Sequence, residues 1–224
     1  SDVYKRQLRN ISDDDGVKTE DFVKSAPIPA EEMLSIIGEY ISKIKDEEIK
    51  NLVGIIIEKN KRKLTYYPAA KKNHHAVRSG LLYHIYTMLK AGEKLMEVYD
   101  NIKPDFLYAG IILHDIGKIR EMESGELGIV TGYSMEGKLI GHLVYGANLI
   151  EKEAEAMKMT REKSIILQHM ILSHHFNPEF GSPKYPLTAE AELLHLLDLM
   201  DSRLYDIKNA LEGIEEGTFT EGIW

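Results

Sequence analysis

The chain has 224 residues, 43% of them hydrophobic and 29% charged, with 28 Lys and Arg against 36 Asp and Glu for a net charge of −8. It can therefore bury one substantial core, while the acidic balance argues against broad non-specific binding to nucleic acid and leaves only a local basic groove open. The absence of cysteine excludes disulfides, thiolate catalysis and Cys-ligated zinc, so any metal must be held by nitrogen and oxygen.

No run approaches the roughly 18 apolar residues of a membrane span, and the N-terminus lacks a signal-peptide pattern, so a soluble, cytoplasmic protein is expected. Residues 1–7 carry no pattern and are read as a boundary remnant. Leu8–Asn10 suggests the tail of a strand, followed by an acidic, turn-like Ser12–Gly16. Pro27 and Pro29 then mark an extended connector, because proline forbids helix continuation and biases its predecessor toward extended backbone. The expected organisation is a remnant and linker over 1–29 and one domain over 30–220.

From Pro29 the pattern turns helical. Met33, Ile36, Ile37, Tyr40, Ile41 and Ile44 recur at helical spacing, and Ile49, Leu52, Val53, Ile56 and Ile57 predict a second helix. Its end is the basic run Lys59–Lys63, which reads either as a solvated helix terminus or as a phosphate contact. Asn73-His74-His75 forms a polar cluster before a third helix over Ser79–Tyr99, whose inward face carries Leu81, His84, Ile85 and Met88. Pro104 suits the first turn of the next helix, with Leu107, Ile111, His114 and Lys118 along one face and Asp115 about 100° round the axis. The glycine-punctuated stretch Glu121–Ser134 predicts a short β-hairpin or lid. A helix over Gly137–Met157 is expected to bury Leu139, Ile140, Leu143, Ala147 and Ile150 and to carry His142 near its start. Thr160 is placed as the N-cap of a helix ending in Ser173-His174-His175. The breaker-rich loop 176–183 precedes a last helix capped by Thr188, with Leu193, Leu194, Leu197 and Leu204 in its stripe and Asp198 and Asp201 on one face.

The chemistry concentrates at Leu113-His114-Asp115-Ile116-Gly117-Lys118. A His and an Asp adjacent in an apolar segment are costly to bury unless something binds them, and a divalent metal is the usual ligand. A single histidine on an apolar face is more often a satisfied core residue, and His169 and His195 are read that way. Jointly, however, His84, His114-Asp115, His142, His174-His175 and Asp198 form an ordered series along an all-helical chain.

That series resembles the HD-domain metal-dependent phosphohydrolase superfamily, which implies an all-α HD-domain bundle with the short hairpin after the His-Asp helix. A narrower resemblance covers nearly all of residues 20–220. Ala69-Ala70, His74-His75-Ala76, Gly80-Leu81-Leu82, Ile112–Glu121, Gly141-His142, Leu172–His175 and Glu179–Pro183 are similar to the YhaM type of bacterial 3′-to-5′ exoribonuclease. Ser79 and Tyr83 depart from the Gly and Glu often found there; both flank His84 and leave the ligand series intact. Members of that type usually carry an OB-fold nucleic-acid module ahead of the connector, of which only the last residues could stand in this sequence.

The resemblance implies hydrolysis of single-stranded RNA, with DNA or small nucleotides as further candidate substrates, using two divalent ions: manganese first, with iron, cobalt or zinc as alternatives. His84, His114, Asp115 and Asp198 would hold one ion, and Asp115, His142 and His174 the second. Lys118 would neutralise phosphate oxygens or form a surface ion pair. His175 would hold a third ion or act as general acid, and His75 would contact substrate phosphate. Asp201 is a candidate outer partner of a ligating imidazole. A homo-oligomer is compatible with this reading. Hydrolysis of small phosphate esters, a non-catalytic RNA-binding or sensor scaffold, and a di-iron monooxygenase are the competing readings.

Overall fold

The computed structural model describes residues 22–72 and 74–220. The expected strand tail at 8–10, the acidic turn at 12–16 and Asn73 lie outside the described residues. The elements in order are α1 (Ala30–Lys43), α2 (Glu47–Leu64), α3 (Gly80–Met96), α4 (Pro104–Leu113), the single turn α5 (Lys118–Glu121), strands β1 (Met122–Ser124) and β2 (Val130–Tyr133), α6 (Met135–Leu139), α7 (Gly141–Ala156), α8 (Arg161–Ser173), a 3-10 turn at Pro178–Phe180 and α9 (Ala189–Leu211). The strands form one antiparallel hairpin, with Met122 opposite Tyr133 and Glu123 opposite Gly132. An all-α bundle with a hairpin after the His-Asp helix is therefore what the chain builds. No helix among the described residues is long and apolar enough to cross a membrane.

Helix α4 is the axis of the bundle. Every residue from Leu107 to Leu113 is buried, as expected of a helix hydrophobic all round, and α1, α2, α3, α8 and α9 all pack on it. The outer helices are amphipathic and give it Met33 and Ile37, Leu52 and Ile56, Leu81 and Ile85, Leu167 and Ile171, and Leu194 and Leu197. Local chemistry fixes the ends. Asp46 caps α2 by accepting from the N–H groups of Glu48 and Ile49, and Asp105 at the start of α4 accepts from the N–H groups of Lys45 and Asp46. Thr188 caps α9 through the N–H of Ala191. The basic run at the end of α2 is engaged in ion pairs, Lys59 with Glu153 at 2.6 Å and Arg62 with Glu126 at 2.8 Å.

Four expectations are corrected. The helix bearing His114 does not continue to Lys118. It ends at Leu113, and the chain turns through i→i−3 hydrogen bonds, Ile116 N–H to Leu113 O and Lys118 N–H to Asp115 O. The start of α7 presses on this turn, and a Cβ at Gly117 would collide with the His142 carbonyl oxygen. The expected single helix over Gly137–Met157 is two, broken where Gly141 takes φ +77°. That break leaves Leu139 and Ile140 exposed rather than in the core. Thr160 precedes α8 but makes no cap bond with its side chain; its hydroxyl donates to Glu48 instead. The buried stripe of α9 ends at Leu197, and Leu204 is exposed.

Candidate metal centre

Five parts of the bundle converge on one point. His84 comes from the middle of α3, His114 and Asp115 from the turn after α4, His142 from the first turn of α7, His174 and His175 from the end of α8, and Asp198 from α9. The turn after α4 decides the geometry. On a continuous helix His114 and Asp115 would point about 100° apart, whereas here both side chains are buried and His114 Nε2 lies 3.4 Å from Asp115 Oδ2.

The Asp115 carboxylate divides the cluster in two. Its Oδ2 faces His114 and, at 3.9 Å, His84 Nε2. His84 Nε2 is in turn 3.2 Å from His114 Nε2 and 3.2 Å from Asp198 Oδ1. On the other side, Oδ1 lies 3.6 Å from His142 Nε2 and 3.8 Å from His174 Nε2. Asp115 Oδ1, His142 Nε2 and His174 Nε2 are all buried with no hydrogen-bond partner. Three orphaned polar atoms aimed at one another are costly unless a cation lies between them.

The outer partners select the tautomers. The Nδ1 atoms of His114 and His174 donate to the carbonyls of Ile111 and Ile171, at 2.9 and 2.7 Å. His142 Nδ1 donates to Glu121 at 3.0 Å, His175 Nδ1 to the Phe180 carbonyl at 2.9 Å, and His84 Nδ1 to Asp201 at 2.7 Å. Each imidazole thus turns Nε2 inward, the arrangement that metal-ligating histidines use. Asp201 stands at the outer position expected of it. Glu121, which lies inside the motif Ile112–Glu121 and received no role from sequence, makes the matching contact to His142.

Charge follows the same logic. Burial would raise the Asp115 and Asp198 carboxyls, but Lys118 beside Asp115 and His84 beside Asp198 outweigh it and hold both well below the carboxylate range. Burial opposes protonation of His84, yet hydrogen bonds to Asp198 and Asp201 lift it to about 10. Burial, reinforced by its histidine neighbours, pushes His174 well down, leaving it neutral. The cluster thus joins anionic carboxylate oxygens to imidazole nitrogens, a donor set suited to divalent transition metals once His84 yields its proton to a cation. Among the described residues, Asp115, His142, His174 and His175 bring their donor atoms within 4.8 Å of one another, and His84, His114 and Asp198 do the same. Each of these two groups could hold a metal ion.

Of the other expected site residues, Lys118 stands where expected and His75 does not. Lys118 Nζ sits 2.6 Å from Asp115 Oδ2 and lines the cavity above the centre. His75, expected to meet substrate phosphate, is buried away from that cavity; it donates from Nε2 to Asp201 at 2.8 Å and stacks on Tyr205. His74 lines the cavity in its place. His195 and His169 bond backbone, His195 donating to the His174 carbonyl and His169 accepting from Leu187 N–H. The cavity is open to solvent, about 730 Å³ in volume, and is walled by Tyr133, Phe176 and Phe180 as well as by the histidines.

The fold and this centre define an HD-domain protein, and the HD domain family matches residues 81–203, from the start of α3 through Asp198. The chain is 40% identical over 219 residues to the 3′-5′ exoribonuclease YhaM of Bacillus subtilis (strain 168), covering 98% of this chain and 69% of that protein. It is 42% identical over 216 residues to the YhaM of Shouchella clausii, covering 96% and 67%, and 44% identical over 211 residues to that of Oceanobacillus iheyensis, covering 94% and 65%. The chain belongs to the YhaM family of HD-domain proteins. No solved structure matches it.

Proposed function

We propose that this chain is a metal-dependent 3′-to-5′ exoribonuclease that releases nucleotides from single-stranded RNA in the cytoplasm. The observation that carries the reading is the Asp115 carboxylate, with one oxygen toward His84 and His114 and the other toward His142 and His174. His84, His114, Asp115 and Asp198 would hold one divalent ion and Asp115, His142 and His174 the other. Manganese suits the mixed nitrogen and carboxylate donors, with iron, cobalt and zinc as alternatives. Two such ions, when bound, lower the pKa of a water and polarise the phosphoryl oxygens for in-line displacement.

The remaining roles belong to the chain. The outer carboxylates of Asp201 and Glu121 hold His84 and His142 with Nε2 inward. The Lys118 ammonium, at the cavity wall, is placed to meet the charge on a phosphodiester. Burial and His142 push the pKa of His175 down, and its Nδ1–H is committed to the Phe180 carbonyl. Its Nε2 therefore offers a lone pair, a ligand or proton acceptor rather than a resting general acid.

The test uses 5′-labelled and 3′-labelled single-stranded RNA in parallel with manganese. A 5′-labelled ladder that shortens from the 3′ end, and is lost in Asp115→Ala, is expected. Turnover of bis-p-nitrophenyl phosphate without RNA shortening would move the assignment to small phosphate esters, and RNA hydrolysis surviving in Asp115→Ala would overturn the proposed centre.

A further inference from the structure

We propose that Phe176, backed by His195, is the platform on which the 3′-terminal base of the substrate stacks; this rests on the RNA reading of the same centre. Phe176 follows His174 and His175 directly and lines the cavity above them, yet 38% of the residue remains exposed. Phe176 is thus neither a core side chain nor free in solvent, but packed on one side and open on another. Its backbone is unfavourable, with φ +64° in the left-handed region that a bulky residue avoids. Ending α8 does not explain this. The end needs only a residue at positive φ, which glycine supplies without strain, and Lys158 ends α7 in the same conformation with its side chain in solvent.

The ring is held in place by its neighbours. Its backbone N–H donates to the Ser173 carbonyl at 2.8 Å. One face stacks on His195, with centroids 4.9 Å apart and planes inclined by 29°, and the Tyr185 ring meets it edge-on at 5.0 Å. His195 is itself fixed by donating to the carbonyl of His174. A ligand's own backbone therefore sets the height of the platform relative to the metal centre. A rigid aromatic face beside a phosphodiester-cleaving centre suits a nucleic-acid strand, because every base has a π-face and stacking accepts all four. The ring thus specifies a terminal nucleotide of any sequence.

The experiment pairs binding with turnover. RNA carrying 2-aminopurine as its 3′-terminal base is titrated into the Asp115→Ala variant with and without Phe176→Leu, and KM and kcat for ordinary RNA are measured in the Asp115 background. The expected result is quenching of the 2-aminopurine that Phe176→Leu abolishes and Phe176→Trp restores. With it comes a KM raised roughly 5- to 100-fold at a kcat within about twofold, the size of one lost base stack. Phe176→Gly, which relieves the backbone but removes the ring, should bind as poorly as the leucine variant. Quenching that persists in Phe176→Leu, or a loss carried by kcat alone, would overturn the platform while leaving the nuclease intact. Quenching that depends on Phe176 in a chain that does not shorten RNA would uphold the platform and overturn the exoribonuclease reading.

Discussion

Asp115 is buried, yet its Oδ1 has no hydrogen-bond partner, and it faces two imidazole nitrogens in the same condition. A folded chain tolerates such a group when a ligand completes it, so the residue-scale case for a cation rests on unmet bonds rather than on motif alone. Asp201 supports that case from outside. Its Oδ2 accepts from both His84 Nδ1 and His75 Nε2, fixing the ring that must present Nε2 to the centre. Asp201→Asn should lower manganese affinity by roughly 10- to 100-fold, the usual consequence of losing an outer carboxylate, as read by equilibrium dialysis of the folded variant. An unchanged affinity would show that packing against Tyr205 orients these rings without help. The pairing of Asp198 and Asp201 on one face of α9 was legible in the sequence because i and i+3 positions are neighbours on any helix. The place of His75 was not, since its burial depends on Tyr205, 130 positions away.

At the scale of elements, short devices do the positioning. The glycine at 117 lets α7 close on the turn after α4, which brings His142 opposite Asp115. At the far end of the bundle, Glu48 on α2 accepts from the N–H and hydroxyl of Thr160 and from Lys163, tying α2 to the start of α8. Lys163, followed by these Thr160 bonds, lowers the Glu48 carboxyl from 4.5 to about 2. A depressed carboxyl stabilises the fold above its unfolded pKa and ceases to do so as pH falls through the folded one. The contribution of this tie should therefore be complete above about pH 4.5 and vanish toward pH 2. Thermal melts of the wild-type chain and Glu48→Gln should differ at neutral pH, with the variant less stable, and converge across that window. A difference that stayed constant on acidification would remove Glu48 from the tie. The sequence placed Thr160 at the start of α8 correctly and misjudged its bond, because a cap hydroxyl and a cross-helix hydroxyl look alike until α2 is in place.

For the molecule as a whole, the centre gathers side chains from α3, α4, α7, α8 and α9 around a shared charge. Metal should thus stabilise the entire bundle and not one segment. Manganese at about 100 times its dissociation constant adds roughly 2.7 kcal/mol, which for a chain of this size raises Tm by about 5–10 °C. Differential scanning fluorimetry with manganese and then excess chelator should show that rise and its reversal, and Asp115→Asn should lose most of it. A Tm indifferent to both additions would argue that the histidine cluster closes on itself without an ion.

The sequence by itself determined the helical class, the apolar helix leading to the His-Asp pair, the hairpin after it and the order of the candidate metal-ligating residues. Apolar periodicity and adjacent His and Asp in an apolar segment are local properties, and each is expressed within a few turns of chain. What only the tertiary structure decided is where those helices break and which residues stand behind the candidate ligands. The turn after Leu113 lies against the start of α7 at Gly117, and α6 and α7 part where Gly141 takes positive φ. The contact of Glu121 depends on α7 docking there, that of Asp201 on α9 crossing α3, and the setting of the Phe176 ring on His195 behind it. Each of these is a contact between elements far apart in the chain, and no pattern within either element encodes it.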